Sequence, residues 1–268
     1  MTFVLRAAAV TDIGLSRMNN EDAAYAGPRL AAVADGIGGM PAGELASSVV
    51  IRELASLDPD GAMASPARTN GSDPAVQLPP PAEDRTAELV DGADPASVLR
   101  DAIAVANRKI RAITDSDQDS DGMGTTVTAL LLLGDRLALL HVGDSRGYRL
   151  HDGQFDQITR DDTYVQTLVD EGLISEAEAR SHPRRSIVMQ AVQGLEYEPT
   201  CTVFPARAGD RYLLCSDGLS DVVEDATIAD ALTTEPEPIH CAQLLVALAL
   251  HAGAPDNVTV VVADVAEV

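Results

Sequence analysis

The chain has 268 residues, which fits one large domain or two small ones, and 46% of them are hydrophobic, enough to bury a sizeable core. Its formal charge is −23, which repels nucleic acid and anionic lipid surfaces and argues against both as partners. No run approaches the ~18 apolar residues of a membrane span, and three cysteines without a CxxC pair fit a reducing, cytoplasmic compartment.

The start, MTFVLRAAAV, is apolar but too short and poorly flanked for a signal peptide. A membrane anchor in a longer parent protein would lie beyond Val268. The pattern predicts a first strand over residues 4–14 (VLRAAAVTDIG) and a second over 29–36 (RLAAVADG). Between Ala42 and Leu57 the apolar Leu45, Val49 and Leu54 recur at helical spacing. From Asp58 to Pro95 the composition turns to Pro, Gly, Ala and Asp without periodicity. This reads as a disordered insertion whose ends can still lie close together, because closure costs rise slowly with loop length.

Order resumes at Ser97, read as an N-cap, with Val98, Leu99, Ala102, Ile103, Ala106 and Ile110 on one helix face. Strands follow at 125–133, 136–143 and 146–150, the first two joined by a Gly134-Asp135 hairpin signal. A mostly helical stretch spans 161–192. Strands are then expected at 201–206 and 211–216, a helix at 238–251 and a last strand at 257–265. Strands clustered between helical stretches, without strict alternation, predict α+β layers rather than a doubly wound sheet.

The informative pattern is where the acids sit. Asp35 ends LAAVAD, Asp144 ends LALLHVGD, Asp217 ends RYLLCSD, and Asp256 directly precedes NVTVVV. Carboxylates gathered at one rim of an apolar layer repel one another unless protonated or neutralised. A hard divalent cation neutralises them and prefers oxygen ligands. The glycines in Asp35-Gly36, Gly143-Asp144 and Asp217-Gly218 let a backbone carbonyl approach such an ion. Each Asp-Gly taken singly is an ordinary turn; all of them capping strongly apolar strands point to a metal centre. Arg17, in the sequence RMNNED, offers a guanidinium fork suited to phosphate oxygens, and Glu21 and Asp22 lie within reach of metal-held water. Alone, that segment is a solvated loop.

The segments TDIGLSRMNNEDAAY, LAAVADGIGGMPAGELAS, GMGTTVTALLL, LHVGDSRGYRL, DDTYVQTLVDEGLI, SHPRRSIVMQAV, YLLCSDGLSDVV and PDNVTVVVADV together resemble the metal-dependent protein phosphatases of type 2C, the PPM family, in its bacterial branch. The resemblance runs in order along almost the whole chain and omits only the Pro-rich insertion. It implies a single domain over 1–268, built as a four-layer αββα sandwich of two antiparallel sheets flanked by helices. It implies hydrolysis of phosphoserine and phosphothreonine in proteins, opposing a Ser/Thr kinase, by a water activated at a centre of two Mn2+ or Mg2+ ions. Asp35 would bridge the ions, with the Gly36 carbonyl on one and Asp217 and Asp256 on the other. Glu21 and Asp22 would act through water, Arg17 would hold the phosphate, and Asp144 with Asp217 would hold a third, weaker ion. Asn257 would support Asp256. Residues 161–185 would form a flap beside the site, and the expected state is a monomer acting on phosphoproteins, the partner kinase among them.

One departure bears on the proton given to the leaving group. Some members place a His just after the Asp-Gly that aligns with Asp35-Gly36; here that residue is Ile37, and Met40 also lacks an imidazole. Metal-held water, or less readily His182, is the remaining source. Three competing patterns are weaker. Gly143-Asp144-Ser145-Arg146-Gly147 matches the G-x-S-x-G elbow of serine hydrolases, with Ser145 as nucleophile, but the residues after it look like strand where the elbow opens a helix. Gly38–Gly43 begins like a P-loop, with Glu44 where the Lys must be. Asp115, Asp117, Asp119 and Asp121 resemble a calcium loop whose twelfth position is Thr128 and not Glu. A non-catalytic, phosphoprotein-binding pseudophosphatase is the remaining alternative.

Overall fold

The long apolar runs read as strands carry buried side chains on both faces, because each sheet is covered twice. The computed structural model of the protein describes residues 2–38, 42–58, 62–63, 93–117 and 120–268. In chain order the elements are β1 (Phe3–Asp12), β2 (Ala23–Ala26), β3 (Leu30–Ala34), β4 (Gly36–Ile37), α1 (Ala42–Ala55), β5 (Ala62–Met63), α2 (Pro95–Ser116), β6 (Gly124–Thr125), β7 (Val127–Leu133), β8 (Arg136–Val142), β9 (Arg146–His151) and β10 (Gln154–Gln157). They continue as α3 (Tyr164–Asp170), α4 (Glu176–Arg180), β11 (Thr200–Pro205), β12 (Arg211–Cys215), α5 (Asp217–Ser220), α6 (Asp225–Thr234), α7 (Pro238–His251) and β13 (Val258–Glu267).

One sheet has the order β1-β13-β12-β9-β10, the other β11-β8-β7-β3-β2-β5, and β4 pairs with β6. Neighbouring strands run antiparallel throughout. Successive side chains of a strand point to opposite faces. Along β13, Val261, Ala263 and Val265 therefore pack between the sheets with Leu5, Leu130, Leu132 and Leu214. Val258, Val260 and Val262 face the other way, toward Leu219, Ile228, Leu232 and Leu245 of α5, α6 and α7. The second sheet mirrors this: Val127, Ala129 and Leu131 meet Val50, Leu54, Leu99 and Ile103 of α1 and α2. The result is the expected αββα sandwich.

Several elements depart from the sequence reading. β2 (AAYA) is built largely of alanine, a weak strand former, and is held by register with β3. The stretch 161–192 holds only the short α3 and α4, and α4 buries no residue, so neither has the apolar face that would extend it. Helix α2 is capped by Asp94, not Ser97: the Asp94 carboxylate accepts the Ser97 N–H at 3.2 Å and the Ser97 hydroxyl at 3.0 Å, with Pro95 in the first turn.

Most of the expected insertion, residues 59–61 and 64–92, lies outside the described residues, as do Met40 and Asp119. Its ends belong to the fold. Asp58 is fully buried, its Oδ2 accepting the N–H groups of Arg29 at 2.8 Å and Leu30 at 3.0 Å.

Candidate metal centre

The acids singled out above lie where the ends of β3, β8 and β12 and the starts of β2 and β13 meet. Three bonds hold the Asp35 backbone at the end of β3. Its carbonyl accepts Thr126 N–H at 2.9 Å and Thr125 Oγ1 at 2.8 Å, and its N–H reaches Thr126 Oγ1 at 3.2 Å. Asp217 is the first residue of α5, directly after β12. The preceding Ser216 donates its hydroxyl to Asp22 Oδ2 at 2.8 Å and accepts Thr259 N–H at 3.0 Å, so one side chain ties three segments together. Asn257 does the same for the loop carrying Arg17. Its Oδ1 accepts Glu21 N–H at 2.8 Å, and its Nδ2 donates to the carbonyls of Ile13 and Asn19, both at 2.9 Å.

Two close backbone approaches require glycine. A Cβ on Gly36 would stand 2.4 Å from the Gly43 backbone, and one on Gly218 would stand 1.9 Å from the Asn257 carbonyl oxygen. The second contact presses the start of α5 against the loop bearing Asp256. Gly218→Ala is expected to push these two acids apart. Thermal unfolding should fall by ~5 °C or more and metal binding should weaken with it, as for other overpacked sites; an unchanged midpoint and metal isotherm would contradict this.

The electrostatics record the convergence. Burial, then the nearby charges of Asp22, Asp217, Asp144 and Asp256, hold the Asp35 carboxyl well above its ordinary range. Burial, then Asp144, Asp221, Asp256 and Asp22, do the same to Asp217. Asp144 is pushed up to about 7, by burial and then by Asp161. Asp22 is raised to about 6, mainly by burial and only partly offset by hydrogen bonds from Thr259 and Ser216. Asp22 Oδ1 and Asp217 Oδ1 are buried with no hydrogen-bond partner. Buried carboxylate oxygens without partners are costly.

Arg17 reaches Asp256 at 2.5 Å with half of its side chain exposed, so its guanidinium stands at the rim. Among the described residues, no three of these side chains already close around one point as a metal cage. They stand instead as a cluster of acids near enough to repel one another. An all-oxygen donor set with orphaned carboxylate oxygens fits a hard divalent cation.

Residues 16–237 match the sequence profile described as Protein phosphatase 2C. The chain belongs to the protein phosphatase 2C family. The serine/threonine protein phosphatase PstP of Mycobacterium tuberculosis is 52% identical over 267 residues, which cover 100% of this chain and 46% of that protein. The chain thus spans about half the length of that relative. A crystal structure of M. tuberculosis PstP/Ppp is similar with a TM-score of 0.84 at 52% identity, covering 98% of this chain and 100% of that one. A second structure, the PstP catalytic domain in complex with two manganese ions, gives a TM-score of 0.83 at 50% identity and covers 99% and 100%.

Within this protein phosphatase 2C domain, the other sequence candidates fall into place. Ser145 is fully buried, its hydroxyl 2.9 Å from Thr128 Oγ1, and β9 follows it, so the hydrolase elbow is absent. His182 lies in the turns after α4, its Nδ1 accepting Arg184 N–H at 3.1 Å and its ring tilted against Tyr164. Ile37 pairs with Gly124 in the small β4–β6 sheet. Thr128, the last position of the apparent calcium loop, is buried in β7.

Sequence reasoning missed Asp221, which shares a cavity of about 160 Å³ with Asp144, Asp161 and Asp217. The spacing from Asp217 to Asp221 places both on one helical face, a signal usable only once α5 is known to be a helix. It also missed Ser216 and Arg146. A serine and an arginine at strand ends carry no such mark in sequence.

Proposed function

We propose that this domain is a metal-dependent protein phosphatase that hydrolyses phosphoserine and phosphothreonine, opposing a Ser/Thr kinase. The observation that carries this is the cluster of Asp22, Asp35, Asp144, Asp217 and Asp256, two of whose buried oxygens lack partners, in a chain of the protein phosphatase 2C family. Asp35, Asp217, Asp256 and the Gly36 carbonyl would hold two Mn2+ or Mg2+ ions, Glu21 and Asp22 would orient water beside them, and Asp144 with Asp217 would hold a third. When bound, such ions lower the pKa of water and offset the charge of the phosphoryl oxygens.

The chain's own residues supply the rest. Arg17, half-exposed and bonded to Asp256, would turn its fork onto two phosphate oxygens. Water would attack phosphorus in line as the bond to the seryl or threonyl oxygen breaks, and Arg17 would offset the charge spread over the equatorial oxygens. With Ile37 after Asp35-Gly36, no imidazole from that position protonates the leaving oxygen; water held among the carboxylates, or less readily His182, would supply that proton.

A monomer acting in the cytoplasm is part of this reading. It is supported by the free cysteines Cys201, Cys215 and Cys241 and by the charge of −23. Among the described residues no helix is long and apolar enough to cross a membrane. The test is hydrolysis of a phosphothreonine peptide with 1–2 mM Mn2+ and with EDTA. Turnover is expected only with metal. Equal rates in EDTA would refute the mechanism, and normal Mn2+ binding without any hydrolysis would identify a pseudophosphatase.

A further inference from the structure

The acids lining the cavity beside the site differ in one respect. Asp217 keeps a buried oxygen without a partner, whereas both oxygens of Asp161 are taken. Arg146 Nε donates to Asp161 Oδ1 at 3.0 Å and Oδ2 at 3.1 Å, Arg146 Nη2 donates to Oδ2 at 2.7 Å, and Gln157 Nε2 adds a bond to Oδ1 at 3.2 Å. The pair is largely enclosed, with side chains 18% and 11% exposed. Asp161 is close enough to act on Asp144 electrostatically, yet both of its oxygens are already engaged by N–H donors.

The same contact is the middle of a three-point clamp. Residues 160–162 lead into α3, and each is bonded to a residue that brackets Asp144 in sequence. The Arg160 carbonyl lies 3.0 Å from His141 Nε2. Asp162 exchanges two bonds with Gly143: its Oδ2 accepts Gly143 N–H at 2.9 Å, and its own N–H donates to the Gly143 carbonyl at 2.7 Å. Asp161 is gripped by Arg146. The turn carrying Asp144 is thus fixed on both sides by one short segment.

We infer that Arg146 is a positioning residue for the metal centre: its fork on Asp161 holds the turn that carries Asp144 and withholds the Asp161 carboxylate from the ions. This rests on the reading of Asp144 as a metal-side carboxylate. A planar guanidinium meets a carboxylate through parallel bonds that a lysine ammonium cannot reproduce. Groups that orient a ligand from behind typically change metal affinity by ~10–100-fold when altered.

The experiment is calorimetric Mn2+ titration and EDTA-treated thermal unfolding of wild type, Arg146→Lys, Asp161→Asn and Asp144→Asn. Asp144→Asn defines which binding event depends on Asp144. Arg146→Lys keeps the charge and is expected to unfold within ~3 °C of wild type. It should nevertheless weaken the Asp144-dependent event about tenfold, leaving the other Mn2+ events at wild-type affinity. Asp161→Asn, nearly isosteric, should weaken the same event and carries the test alone if the lysine variant fails to fold.

Wild-type affinity for that event in whichever of the two variants folds would overturn the inference. So would uniform weakening of every event, the mark of a merely structural role. An Mn2+ isotherm unchanged in Asp144→Asn would instead sink the underlying reading of Asp144.

Discussion

Replacing Asp217 by Asn should nearly abolish phosphothreonine hydrolysis while making the metal-free protein more stable at neutral pH. Both effects come from one feature, a carboxylate buried among Asp144, Asp221, Asp256 and Asp22 with one oxygen unpartnered. On the proposed reading that oxygen would be a ligand in the loaded enzyme, and losing its charge would remove electrostatic stabilisation of the reaction. A loss on the order of 10³-fold in kcat corresponds to about 4 kcal/mol of transition-state stabilisation. Without metal the charge is a liability, because the folded state can bury Asp217 only by protonating it or by enduring repulsion. The neutral amide avoids both. The melting midpoint in EDTA at pH 7.5 is expected to rise by ~2–5 °C, and the advantage should shrink toward pH 4, where the wild-type carboxyl is itself protonated. A variant that lost activity and also melted lower in EDTA would show that Asp217 serves packing before chemistry.

The second large effect is the pH dependence of stability with and without metal. Asp22 is raised to about 6 and Asp144 to about 7, and Asp35 and Asp217 are also raised, burial being the first cause in each. Each folded pKa exceeds the unfolded value, so the folded state binds more protons between the two. Stability is therefore fully present below the unfolded carboxylate range and is lost as pH rises through 6 and 7. In EDTA the melting midpoint is expected to fall between pH 5 and pH 7.5 by about 5–10 °C. Saturating Mn2+ should reverse the trend. On the proposed reading the ions compete with protons for the same oxygens, so binding should tighten as pH rises through 6 and 7 and should release protons there. Metal at about 100 times its dissociation constant adds about 2.7 kcal/mol per site. Differential scanning fluorimetry across pH with EDTA or Mn2+ checks the slopes, and calorimetry in buffers of different ionisation enthalpy counts the protons. A flat EDTA profile would mean that the acids are not mutually confined.

The two effects share a cause in the strand ends. Apolar runs such as LAAVA, LALLHV and RYLLC are legible as buried strands because the sandwich covers both faces of each sheet. An acid directly after such a run must stand at a rim, so Asp35, Asp144 and Asp217 could be placed at sheet ends from local pattern alone. The resemblance of the ordered motifs to the type 2C phosphatases is likewise a property of the linear chain. β2 was not legible, because alanines carry little strand preference and its partner β3 supplies the register. Nor were α5 and α6, since a few residues without sustained periodicity leave no helical signature.

The amino-acid sequence by itself determined the longer strands and helices and the acids Asp35, Asp144, Asp217 and Asp256 beside the strand ends, because periodicity and turn chemistry act between near neighbours. The tertiary structure alone decided which acids meet, which of them stay open and how far their protonation is shifted. Ser216 reaching Asp22, Asn257 reaching Glu21, and Arg146 closing on Asp161 while Asp217 keeps a free oxygen are contacts across distant segments. Sheet stacking and the exclusion of water set them, and neither is written in any local stretch of chain.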